Sequence, residues 1–118
     1  RLWAKINETA KTWKAPKASG REARATAAAK KTFNGKGVRV LKAYTTRSTW
    51  KIHKNALGVP LRRTKPGYAI MRVKSDAKLA KGLCRGRSFT YTEQYSGRRY
   101  KKSTGVGELG YIRYEKCR

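Results

Sequence analysis

Hydrophobic positions at the start of the chain recur at helical spacing. Leu2, Ile6, Ala10 and Trp13 stand four, four and three residues apart, one face of a helix that Trp3 widens. Lys5, Lys11 and Lys14 occupy the other side. The pattern predicts an amphipathic basic helix whose Trp-bearing stripe docks on its own domain or inserts into a partner. Ala15-Pro16-Lys17-Ala18 ends it, because proline removes a donor and disfavours helix at the residue before it.

Ser19 and Glu22 have the spacing of a capping box, and Ala23 to Lys31 is dominated by strong helix formers. Asn34-Gly35 supplies the stop. This second helix carries alanines but no large apolar stripe, so it is expected to bury little surface in its own fold. Two readings follow. It lies on a partner, its small side chains letting the backbone approach phosphates while Arg21, Arg24, Lys30 and Lys31 reach out, or it is a solvated, frayed helix.

From Gly37 the period falls to two. Val38, Val40 and Tyr44 alternate, then Trp50 and Ile52, then Tyr68 and Ile70 with Ala69, Met71 and Val73 on the other parity. Three strands are predicted, the third covered on both faces. Residues 55–67 between the second and third contain two prolines and two glycines, which predicts a long Pro/Gly loop carrying basic residues. Ser75 to Lys81 is read as one helical turn closed by Gly82. Strands around Phe89 to Glu93, Arg98 to Lys102 and Tyr111 to Tyr114 complete an antiparallel meander, with turns at Tyr95-Ser96-Gly97 and Thr104 to Gly107. The expected fold class is α+β, with a basic helical arm over 1–36 and a small, mostly antiparallel β-sheet domain over 37–118.

Composition turns this outline toward a partner. The 118 residues hold 31 Lys+Arg against 6 Asp+Glu, a formal net charge of +25. Self-repulsion on that scale destabilises a compact state unless a polyanion screens it. Three Trp, seven Tyr and 38% apolar residues exceed what a disordered basic tail carries. Nucleic acid is the leading partner, since every neutralised phosphate releases counterions. Acidic protein surfaces and anionic membranes are the rivals. No apolar run approaches the roughly 20 residues that span a bilayer, so membrane insertion is not expected. No apolar stretch of the signal-peptide kind follows Arg1, and the absence of Met there leaves room for a removed leader.

Three clusters concentrate the charge: Arg62-Arg63-Thr64-Lys65 in the Pro/Gly loop, Arg85-Gly86-Arg87 ahead of a strand, and Arg98-Arg99-Tyr100-Lys101-Lys102 after a turn. Arg forks bind phosphate oxygens bidentately, and neighbouring Gly brings backbone amides close. The candidate nucleic-acid ligands are therefore Arg62, Arg63, Lys65, Arg85, Arg87, Arg98, Arg99, Lys101 and Lys102, with the four basic residues of the second helix. Among the interleaved aromatics, Trp50, Phe89, Tyr91 and Tyr111 are expected in the core. Tyr95 and Tyr100, beside a turn and arginines, are the candidates for stacking on bases.

His53, Cys84 and Cys117 are too few and too scattered for a closed zinc site, so no metal or other cofactor is expected. The two cysteines can pair, but free thiols are the expectation for a nucleic-acid-binding protein of the cell interior. No catalytic residue is assigned. A small ribonuclease would need His53 with Glu93 or Glu108 as acid and base, and nothing in their spacing brings them together.

In overall character the chain resembles a ribosomal protein: short, strongly basic, a β-containing part and a basic arm that orders against RNA. That resemblance implies a non-enzymatic structural role in an intracellular ribonucleoprotein particle, cytoplasmic or organellar, with RNA favoured over DNA and neighbouring proteins as further partners. Tyr95-x-Gly97-Arg98-Arg99-Tyr100-Lys101, Thr104-Gly105 and Tyr111-Ile112 are similar to short Tyr/Gly-rich basic motifs in proteins of large DNA viruses, without the Pro-Arg-Gly-Gly core of those motifs. The second expectation is accordingly a structural protein of a virion, a minor capsid or nucleoprotein component.

Overall fold

A computed structural model describes residues 4, 5, 7, 8, 16–19, 22–35, 37–74 and 82–117. Ala4, Lys5, Asn7 and Glu8 are helical. The predicted Trp-bearing stripe of Leu2, Trp3, Ile6, Ala10 and Trp13 and the turn over 75–81 lie outside the described residues, as does Arg21.

The helix α1 (Ala23–Phe33) precedes a six-stranded antiparallel sheet of β1 (Val38–Thr45), β2 (Lys51–Lys54), β3 (Pro60–Val73), β4 (Leu83–Tyr95), β5 (Tyr100–Lys101) and β6 (Arg113–Lys116). The class is α+β. β3 and β4, 14 and 13 residues long, form the spine and each changes neighbour along its length. β2 borders β3 at the Pro60 end and β1 borders it at the Val73 end. β5 and β6 flank the opposite ends of β4.

The predicted loop over 55–67 is thus only half a loop. Asn55 closes a tight turn, its side chain accepting from the N–H groups of Leu57 and Val59 at 2.9 and 3.0 Å, and Gly58 takes φ +79°. From Pro60 the chain is strand. Proline is tolerated there because it opens β3, and Pro66 sits where β3 passes from β2 to β1.

The alanine helix also departs from expectation. Glu22, not Ser19, caps it, and its carboxylate accepts from the Arg24 N–H. Ala25, Ala28 and Ala29 are buried against Ala43, Ala69, Met71, Phe89 and Tyr91 in one core cluster. Spacings of three and four put these methyl groups on one face. Their small size lets the helix backbone lie close on the sheet, so it does not need a stripe of large side chains to dock. Asn34 ends the helix and ties it to β1, accepting from the Val40 N–H at 2.8 Å.

On the opposite face, at the β1/β6 end, Tyr44, Tyr68, Ile70 and Cys84 form a second cluster. Tyr44 reaches it because the β1 register shifts between Val40 and Lys42, which turns Tyr44 away from the face that Val38 and Val40 share. Gly86 is required beside it, since a Cβ there would collide with the Tyr68 hydroxyl. Cys84 and Cys117 are joined by a disulfide, so the expectation of free thiols is corrected. Pairing β6 with β4 sets their Cα atoms 5.1 Å apart. Phe89 and Tyr91 are core residues and Trp50 is half-buried against them, whereas Tyr111 is 87% exposed. It precedes β6 and has no sheet partner to cover it.

Candidate nucleic-acid interface

At the β2/β5 end, the face turned away from α1 stays open and polar. Strand register lines up His53, Arg62, Gln94 and Lys101 in one row across β2, β3, β4 and β5. The adjacent row is Lys51, Thr64 and Thr92. Alternation along each strand puts these side chains on one face. Two contiguous recesses of ≈ 610 and ≈ 680 Å³ lie on it and share Arg62 and Thr92. Five threonines, Thr46, Thr49, Thr64, Thr90 and Thr92, line the first. Its cations are Arg47, Lys51 and Arg62, and Lys101 and Lys102 border the second.

Glu108 is the one carboxylate lining this cleft among the described residues, and it holds the left-handed φ of 47°. No Asp or Glu occurs between Glu22 and Asp76, so β1, β2 and β3 carry no acidic residue of their own. An anion entering the cleft would meet several cations with little competition from acidic groups. His53 Nε2 is 3.1 Å from the Thr64 hydroxyl. His53 and Glu108 line the same recess.

The other face at this end holds a closed charge network. Glu93 is fully buried, and Arg63 donates to its Oε1 from Nε and Nη2 at 2.9 and 2.6 Å. Tyr91 and Arg24 reach its other oxygen at 2.7 and 3.3 Å. Burial alone would raise the Glu93 carboxyl. Hydrogen bonds from Tyr91, Arg63 and Arg24 outweigh it and hold the group below its ordinary value. The Tyr91 phenol is pushed up to about 12, first by burial and then by its bond to the Glu93 carboxylate. The Arg63 guanidinium lies 4.0 Å from the Trp50 ring centroid and 4.3 Å from that of Tyr100. Lys65 Nζ stands 4.6 Å from Trp50 and 4.0 Å from Glu22 Oε2.

On β3 the residues predicted from charge divide by strand parity. Arg62, Lys101 and Lys102 meet in the cleft. Arg63, Lys65 and Arg24 are engaged internally around Glu93 and Glu22. Lys30 and Lys31 are exposed in the last turn of α1, and Arg98 and Arg99 at the β4–β5 turn. Arg85 and Arg87 are half-buried, the latter donating to the Gly110 carbonyl at 3.0 Å. The two stacking candidates, Tyr95 and Tyr100, pack on each other with ring centroids 5.0 Å apart.

Arg47, Lys51 and the threonines escaped the sequence reading. For Lys51, Thr64, Thr90 and Thr92 the signal was the polar parity of strands β2 to β4; Thr46, Arg47 and Thr49 lie between β1 and β2 and carried none. No known family, curated protein or solved structure matches the chain. Among the described residues, no helix is long and apolar enough to cross a membrane, and no group of three His, Cys, Asp or Glu residues is placed to hold a metal ion.

Proposed function

We propose that the protein is a non-enzymatic structural nucleic-acid-binding component of a large assembly, with RNA favoured and the β2/β5 cleft as its contact surface. The observation that carries this reading is the cross-strand row His53–Arg62–Gln94–Lys101 beside a threonine-lined recess. It joins cations to hydroxyl donors on a surface whose acidic content, among the described residues, is Glu108 alone. Lys30, Lys31, Arg98 and Arg99 add exposed charge outside the cleft. The setting is a ribonucleoprotein particle of the cytoplasm or an organelle, where neighbouring proteins occupy other faces.

A second reading, a structural protein of a virion, is favoured by one observation. The Cys84–Cys117 disulfide fits a particle that meets oxidising surroundings better than it fits a reducing cell interior. Anisotropy titrations against a structured RNA at several salt concentrations test the shared claim. Log affinity should fall linearly with log salt, and a slope near zero would exclude phosphate neutralisation. Labelled RNA left with the protein should stay intact. Cleavage that His53→Ala abolishes would establish a ribonuclease instead.

A further inference from the structure

We infer that the cleft takes the phosphodiester backbone of nucleic acid and leaves the bases unread, an inference that rests on the function proposed above. Three observations lead to it. First, no Phe, Tyr or Trp ring lines either recess among the described residues, and the one imidazole there, His53, is tied to the Thr64 hydroxyl at 3.1 Å, so the surface has no large aromatic platform on which a base would stack. The rings that sequence places nearby are committed elsewhere: Trp50 and Tyr100 lie over Arg63, Tyr91 is buried on Glu93, and Tyr95 packs on Tyr100. Tyr111 stands in a separate recess with Arg87 and Leu109.

Second, the lining chemistry suits phosphate. A threonine hydroxyl donates to a phosphate oxygen, and its β-branched stem on a strand has few rotamers to lose on binding. Neighbours along one strand face stand ~7 Å apart and adjacent strands ~4.8 Å apart, so Thr64 on β3 with Thr90 and Thr92 on β4 form a fixed grid of hydroxyls. Third, the charges border that grid. Lys51 and Lys101 stand on the two flanking strands, with Arg62 between them on β3. A backbone laid across the strands meets a cation on each side and hydroxyls beneath, while its bases point to solvent. Such binding depends on phosphate number and spacing and is indifferent to base sequence.

The test compares an RNA strand, a DNA strand of the same sequence, and that DNA strand with every base removed, by anisotropy at low salt. The two base-bearing strands assign the pentose. The abasic strand should bind within about twofold of its base-bearing counterpart. Thr64→Val with Thr92→Val leaves the net charge unchanged and should weaken both by about tenfold or more, the effect of losing hydrogen bonds to charged groups. Thr92→Ser with Thr64→Ser, which keeps the hydroxyls, should restore them. A loss of tenfold or more on removing the bases would overturn the inference while leaving nucleic-acid binding intact. Indifference to the valine pair would overturn it too, by placing the backbone elsewhere on the molecule. Failure of all three strands to bind would remove the proposed function itself, and the inference with it.

Discussion

Arg63 and Glu93 face each other across β3 and β4, joined by two hydrogen bonds to one carboxylate oxygen at 2.9 and 2.6 Å. Arg62, the next residue, points through the opposite face into the open cleft. Two adjacent arginines of one basic cluster thus do different work. One anchors the sheet to the helix through a buried carboxylate that Arg24 of α1 also contacts, and the other is presented to solvent.

Arg63→Ala should destabilise the protein by about 3 kcal/mol, because removing one partner strands a buried carboxylate. Arg62→Ala should stay within about 0.5 kcal/mol of the parent, as an exposed substitution does. Urea midpoints of the two variants measure both. Equal midpoints would show that the Glu93 network does not hold the fold together.

Stability should decline at both extremes of pH through the same network. Glu93 titrates below its ordinary 4.5 when folded, so its contribution is complete above that value and is lost as pH falls through the depressed folded value. Tyr91 moves from 10.0 to about 12, so its contribution is complete below pH 10 and fades as pH rises toward 12. Midpoints measured against pH should show this plateau. Tyr91→Phe should remove the Tyr91 contribution to the alkaline decline, and an unchanged alkaline limb would contradict the assignment.

Reduction of Cys84–Cys117 should lower stability by about 3–4 kcal/mol, since the bond closes a loop with a sequence separation of 33. Thermal melts with and without reductant read the effect. It should be absent in a Cys84→Ala, Cys117→Ala double variant, whose melting point should match the reduced protein.

Ala29→Leu should cost about 1–3 kcal/mol by forcing α1 off the sheet, whereas Ala27→Leu on the exposed side should be nearly neutral. Denaturant titration distinguishes them. Equal costs would contradict the packing of this helix.

These effects also show which features were legible in the chain. Alternation from Val38 onward was enough to place strands and the cores around Phe89 and Tyr91, because a half-buried strand repeats every second residue. Burial of α1 was not legible, since hydrophobic patterning weighs large side chains and the docking here uses methyl groups. Pro60 and Pro66 concealed the first half of β3, whose neighbour changes along its length. Composition raises the expectation of a polyanion partner, but the division of Arg62 from Arg63 and of Lys101 from Tyr100 depends on which face each strand turns outward. A charged cluster read along one dimension does not contain that information; the register of four strands does.

The most direct measurement of the central claim compares two variants that each lose the same charge. One is Lys51→Ala with Arg62→Ala and Lys101→Ala in the cleft; the other is Lys30→Ala with Lys31→Ala and Arg98→Ala outside it. Salt-dependent titration with structured RNA should show the cleft variant losing well over tenfold more affinity than the other, with the log–log slope smaller by about two to three, three lost phosphate contacts at roughly 0.7–0.9 each. Equal losses in the two variants would mean that RNA is held by diffuse charge, and that the β2/β5 cleft is not the contact surface.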